Sequence, residues 1–131
     1  MKILIVDDDE LSRVVLSEML KDSGTCDSAV NGYEAIDKFM SAHSDGTPYD
    51  LVCLDVIMPE LDGFQVLKQF RLIEVQNKIS FPDSVRVIMV SSMSDLEHIM
   101  TAFDSRCETY MIKPFDRQQL IDQLSFLGFE A

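Results

Sequence analysis

Along the chain, short unbroken apolar runs alternate with longer segments whose apolar residues recur every third or fourth position. Ile3-Leu4-Ile5-Val6 is the first run, and its continuity is the pattern of a parallel strand covered on both faces. Leu11, Val14, Val15 and Met19 then follow at helical spacing until Asp22-Ser23-Gly24 breaks the series. Thr25 to Ala29 is polar and only weakly strand-like, which places it at a sheet edge with one side toward water. Asn31 with Glu34 has the pattern of a capping box and opens a helix through Ala35, Ile36, Phe39 and Met40. Ser44 to Pro48 closes it and leads into Leu51-Val52-Cys53-Leu54-Asp55. Three similar boxes, Asp62 with Gln65, Ser94 with Glu97 and Asp116 with Gln119, open further apolar-periodic segments. Between them, Val85 to Val90 and Tyr110-Met111-Ile112 read as strands.

The resulting order, strand then helix five times over, predicts an α/β fold: a doubly wound five-stranded parallel sheet with five helices on its two faces. Residues 1–131 are expected to form a single domain with no effector domain attached. The polar stretch Gln76 to Asp83, which holds Phe81-Pro82, makes a long connection between the third helix and the fourth strand. A tolerated surface insertion is its expected role, with a partner site as the alternative.

In a parallel sheet all carboxyl ends lie on one edge, where ligands of open α/β sheets sit. Asp7 and Asp8 after the first strand, Asp55 after the third, Ser91 and Ser92 after the fourth and Lys113 after the fifth therefore meet. Three carboxylates held together repel, and without a cation at least one takes up a proton. A hard divalent ion resolves the conflict, and Mg2+ suits a few carboxylates, a carbonyl, waters and a phosphate oxygen. Such a site suits phosphoryl transfer to Asp55 as the nucleophile, with Lys113 and the Ser91 hydroxyl binding phosphoryl oxygens.

Charge narrows the partners. The chain carries a net charge of -12, which opposes direct contact with nucleic acid or an anionic membrane. Cys26, Cys53 and Cys107 are an odd set without metal-ligand spacing, as expected of packing residues in a reducing compartment. No apolar run approaches a membrane span and the N-terminus is unlike a signal peptide, so a cytoplasmic location is expected.

Ile3 to Asp9, Asp55 followed by Met58-Pro59-Glu60-Leu61-Asp62-Gly63, Ser91 after an apolar strand, and Tyr110-Met111-Ile112-Lys113-Pro114-Phe115 together resemble the receiver domain of two-component response regulators. The resemblance spans nearly the whole chain and implies a flavodoxin-like sheet of strand order 2-1-3-4-5. It implies that Asp55 is the phosphorylated residue and that Asp7, Asp8, Asp55 and the Ile57 carbonyl hold Mg2+, Asp7 through water. Ser91 and Tyr110 take the places of the switch residues, Lys113 that of the lysine, and Pro114 that of a cis-proline. The implied protein is a stand-alone receiver, acting by target binding or in a phosphorelay, and not a turnover enzyme. A histidine kinase or histidine phosphotransfer protein would supply the phosphoryl group. A downstream target would read the face formed by helix four, strand five and helix five. Ile57 and Met93, both apolar, take positions flanking the path of hydrolytic water, which implies slow self-dephosphorylation.

Plainer roles compete at several positions. Asp9 and Asp62 read as helix caps, and Tyr110 fits a core aromatic as well as a switch. His43 and His98 lie far in sequence from the loop set and read as surface residues; Met89, Met93, Met100 and Met111 read as packing residues. Two other classes compete with a switch. An Asp-nucleophile phosphatase would want a second Asp two residues after the first, where Ile57 stands. A constitutive interaction module would have no use for Asp8, Asp55, Ser91 and Lys113 together.

Overall fold

The computed structural model describes residues 1–129. The elements alternate as β1 (Lys2–Val6), α1 (Glu10–Leu20), β2 (Thr25–Ala29), α2 (Gly32–Ser44), β3 (Leu51–Asp55), α3 (Gly63–Gln76), β4 (Arg86–Ser91), α4 (Leu96–Asp104), β5 (Thr109–Ile112) and α5 (Arg117–Phe126). All strand pairs are parallel and the sheet order is β2-β1-β3-β4-β5, so the expected architecture is present with β2 at an edge.

Alternate residues of each central strand feed two cores. Leu4 and Val6 of β1 pack with Phe39 of α2 and with Phe70 and Leu67 of α3, and the Phe39 and Phe70 rings stack at 4.2 Å. Ile3 and Ile5 face the other way, against Leu16 and Leu20 of α1 and Leu120 and Leu124 of α5. With β3 buried along its whole length, the unbroken apolar runs follow from cover on both faces.

Local start signals act largely as read. Asp9, Asn31, Asp62 and Asp116 cap their helices, and the boxes of Asp62 with Gln65 and Asp116 with Gln119 are reciprocal. At Asn31 only the cap bond to the Glu34 amide forms, while the Glu34 carboxylate lies 3.4 Å from Lys38. The fourth box is off by one: Asp95, not Ser94, caps α4 by accepting from the His98 amide. A carboxylate beside the positive helix end outcompetes the neighbouring hydroxyl.

The apolar stripe of α1 is the largest departure. Of its four residues Leu11, Val14 and Val15 are exposed and only Met19 packs against the core, where the helix is held by Leu16 and Leu20. Both series have helical spacing, so periodicity placed the helix without identifying its buried face. Met89 and Met111 pack in the cores as expected, whereas Met93 and Met100 are exposed. Cys53 and Cys107 are buried and Cys26 half-buried, all free. His98 lies near the surface and pairs with Asp95, but His43 packs against Phe39 with a buried Nε2 that finds no partner. Among the described residues no helix is long and apolar enough to cross a membrane.

Candidate functional site

The site grows from the carboxyl ends of β1, β3, β4 and β5. Val6 and Leu54 are partners across adjacent strands, so the residues that follow, Asp7 and Asp55, emerge side by side. Oxygens of Asp7, Asp8 and Asp55 lie within 4.8 Å of one another. Asp7 and Asp55 are buried and Asp8 is exposed, which makes the cluster a pocket with one open side. Gly63, at the start of α3, lets the helix lie against this strand end: a Cβ there would stand 2.4 Å from the Asp55 carbonyl oxygen. Its amide donates to the Val56 carbonyl at 2.8 Å.

Asp7 is the fixed member. Its carboxylate accepts from the Asp9 amide at 2.9 Å and from Lys113 Nζ at 2.9 Å, and its carbonyl accepts from Arg13 at 2.8 Å. Lys113 also lies 3.8 Å from the Asp55 carboxylate. Burial works to lower the Lys113 pKa, but the bond to Asp7 and the attraction of Asp55 outweigh it, so the ammonium is held more firmly than usual. Asp55 has the opposite problem. Burial and then the Asp7 carboxylate push its pKa up to about 7, against the pull of Lys113. Three carboxylates facing one ammonium leave a site that favours added positive charge.

The other two strand ends supply a hydroxyl and an aromatic. Ser91 is fully buried at the end of β4; its carbonyl accepts from the Lys113 amide at 2.8 Å and its Oγ from the Met93 amide at 3.0 Å. The half-buried Tyr110 donates its hydroxyl to the Met93 carbonyl at 2.7 Å. Met93 is thus tied to both Ser91 and Tyr110. The Lys113–Pro114 peptide is cis. Ile57, half exposed, follows Asp55 in the loop at the pocket mouth.

Asp7, Asp8, Ile57 and Lys113 lie just past the strands, Asp55 and Ser91 are the last residues of β3 and β4, and Tyr110 lies within β5; Asp7, Asp8, Asp55 and Lys113 converge directly. Two supports were not expected. Arg13, one turn into α1, ties the helix to the Asp7 carbonyl, and no local pattern marks an arginine for that task. Gly63 was visible only as part of a motif, because its close approach to Asp55 is a tertiary contact.

A sequence model of the family described as response regulator receiver domain matches residues 3–125. Chemotaxis protein CheY of Bacillus subtilis (strain 168) is 30% identical over 126 residues, which cover 95% of this chain and 94% of that protein. Hybrid signal transduction histidine kinase L of Dictyostelium discoideum is 34% identical over 130 residues, 97% of this chain but 7% of the kinase. Among solved structures, a chain of the CheX-CheY-BeF3-Mg+2 complex from Borrelia burgdorferi superimposes with a TM-score of 0.82 at 26% identity, over 99% of this chain and 90% of that one. The match over residues 3–125, together with the strand order β2-β1-β3-β4-β5 and the acidic cluster at its carboxyl edge, shows that this chain belongs to the response regulator receiver domain family.

Proposed function

We propose that Asp55 accepts a phosphoryl group from a phosphohistidine and that the chain works as a phosphorylation-driven signalling switch. The observation that carries this reading is the convergence of Asp55 with Asp7, Asp8 and Lys113. Asp7, Asp8 and Asp55, with the Ile57 carbonyl, are the residues that would hold Mg2+, and their unbalanced negative charge fits a hard divalent ion. When bound, the ion supplies the positive charge that lets a carboxylate and a phosphoryl dianion approach.

In the transfer an Asp55 carboxylate oxygen attacks phosphorus, the acyl phosphate bond forms, and the phosphorus–nitrogen bond to the donor imidazole breaks. Lys113, held on Asp7, lies beside Asp55 to neutralise a phosphoryl oxygen. Ser91 would turn its hydroxyl to a second oxygen and release the Met93 amide. Tyr110, bonded to the same Met93 loop, would then change partners. The new contacts bias the α4, β5 and α5 face only by the amount they differ between its states.

The donor is a histidine kinase or histidine phosphotransfer protein, and the target a protein that reads the α4–β5–α5 face. The resemblance to CheY, including one solved with CheX, supports a target-binding role, in the cytoplasm and without turnover catalysis. Beryllofluoride, which mimics an acyl phosphate, should with Mg2+ shift the backbone amide resonances of Ser91, Tyr110 and α4 in the wild type. The same addition to Asp55→Ala should shift none of them. A wild-type spectrum that stays unchanged would sink the reading.

A further inference from the structure

The sheet edge opposite the acidic pocket has a different chemistry. There the C-terminal end of α3, the 77–85 connection and the loop before β5 border a cavity of about 270 Å3, with Val75, Ile79 and Phe81 on one side, Arg106 at its rim and the Arg71, Glu74 and Glu108 side chains, bonded to one another, along the rest. Phe81 is 79% exposed, so it is not part of either core. Arg86 lies over its ring, 5.1 Å from the centroid, which presents a cation and an aromatic face together. Arg106 is exposed and takes a positive φ of 69°, which accompanies the use of its carbonyl by Arg71 while its own side chain lines the cavity. Among the described residues neither Arg86 nor Arg106 pairs with a carboxylate within 4.0 Å. Two guanidiniums without a carboxylate partner, Arg86 donating only to the Ser84 carbonyl at 2.7 Å, beside an exposed aromatic and a cavity with an apolar side are unusual on a chain with only 11 basic residues and a net charge of -12.

We propose that this edge docks a short acidic segment of a partner protein, with one apolar side chain in the cavity and flanking carboxylates on Arg86 and Arg106. Charge complementarity selects the occupant. A nucleic acid or an anionic lipid surface would meet the surrounding negative field of the whole chain, whereas a segment a few residues long meets mainly Arg86 and Arg106, the Glu74 and Glu108 carboxylates of the lining being already bonded to Arg71. The apolar side of the cavity, formed by Val75, Ile79 and Phe81, suits a hydrocarbon side chain rather than a phosphate, and Arg and aromatic residues are the types enriched at the centres of protein interfaces. The long 77–85 connection thereby has a use that a plain insertion would not.

The test uses the full chain and two fluorescein-labelled synthetic peptides of equal length, a leucine pair flanked by glutamates and the same pair flanked by lysines. Amide spectra and fluorescence anisotropy read the outcome. The glutamate peptide is expected to bind saturably, more weakly as salt rises, and to shift amides within 78–86 and 106–108. Arg106→Glu, which leaves the carbonyl used by Arg71 in place, and Phe81→Ser should each weaken binding about tenfold or more. Neither variant should change phosphorylation by acetyl phosphate. No binding, equal binding of the lysine peptide, shifts confined to other faces, or unchanged affinity in both variants would overturn the proposal.

Discussion

The two ends of the sheet both bury charge, and they handle it in opposite ways. At the amino end Arg71 bonds Glu74 at 2.8 Å and Glu108 at 2.9 Å, and its remaining donors reach the Val85 and Arg106 carbonyls. The second oxygens of Glu74 and Glu108 accept from the Val85 and Val87 amides, both at 2.6 Å. One guanidinium faces two carboxylates there, and burial pushes the Glu108 pKa up, but every carboxylate oxygen has a hydrogen-bond donor, and the bonds join α3 to β4 and the loop before β5. At the carboxyl end three carboxylates share one ammonium, and Asp55 is pushed toward protonation. A buried charge that is fully bonded holds a structure together; one left in conflict awaits a ligand or a reaction.

Breaking the satisfied end should have the largest effect. Arg71→Met strands two carboxylates against buried amides and is expected to cost about 3–5 kcal/mol in urea unfolding. A loss below about 1 kcal/mol would mean the network is solvated and the contrast false. At the other end cations should stabilise. Mg2+ at a hundredfold its dissociation constant should raise the unfolding free energy by about 2.7 kcal/mol, and Asp8→Ala should lose most of that gain.

Asp55→Asn should, unlike most substitutions of a buried polar residue, stabilise the metal-free chain at neutral pH. An effect on the order of 1–2 kcal/mol is expected, the shift being discounted for water that still reaches the pocket. The sign follows from linkage. Asp55 holds its proton more tightly folded than unfolded, so its contribution is full below about pH 4 and is lost as pH rises through about 7. Wild-type unfolding curves without metal should show this slope, and Asp55→Asn curves should lack it. The smallest effect concerns lifetime. Half-exposed Ile57 presents only hydrocarbon at the pocket mouth, and Ile57→Asn, which can orient a water, should speed acyl phosphate decay up to about tenfold, about 1.4 kcal/mol in barrier. An unchanged decay rate would remove Ile57 from that role.

The contrast between the two ends also explains what the sequence discloses. The acidic end is legible because each participant follows an apolar strand, and a parallel sheet delivers all those ends to one edge. Strand runs and reciprocal boxes at Asp62 and Asp116 are local and read directly. The amino-end network is not, since Arg71 and Glu74 sit inside a helix and Glu108 lies 37 residues from Arg71. Nothing local distinguishes them from a solvated i,i+3 pair. The α1 face failed for a related reason: Leu11, Val14 and Val15 form as good a stripe as the residues the sheet covers. At α4, Ser94 and Asp95 are adjacent capping side chains, and spacing alone does not separate them.

Asp55, the carboxylate left in conflict, is the proposed phosphoryl acceptor. Wild-type chain and Asp55→Ala incubated with labelled acetyl phosphate, with and without Mg2+, test it directly. The expected result is one acid-stable, base-labile phosphoryl group on the wild type only when Mg2+ is present, and none on Asp55→Ala. Equal labelling of the variant would rule out Asp55 as the acceptor, and labelling of the wild type that ignores Mg2+ would rule out a metal held by the acidic cluster.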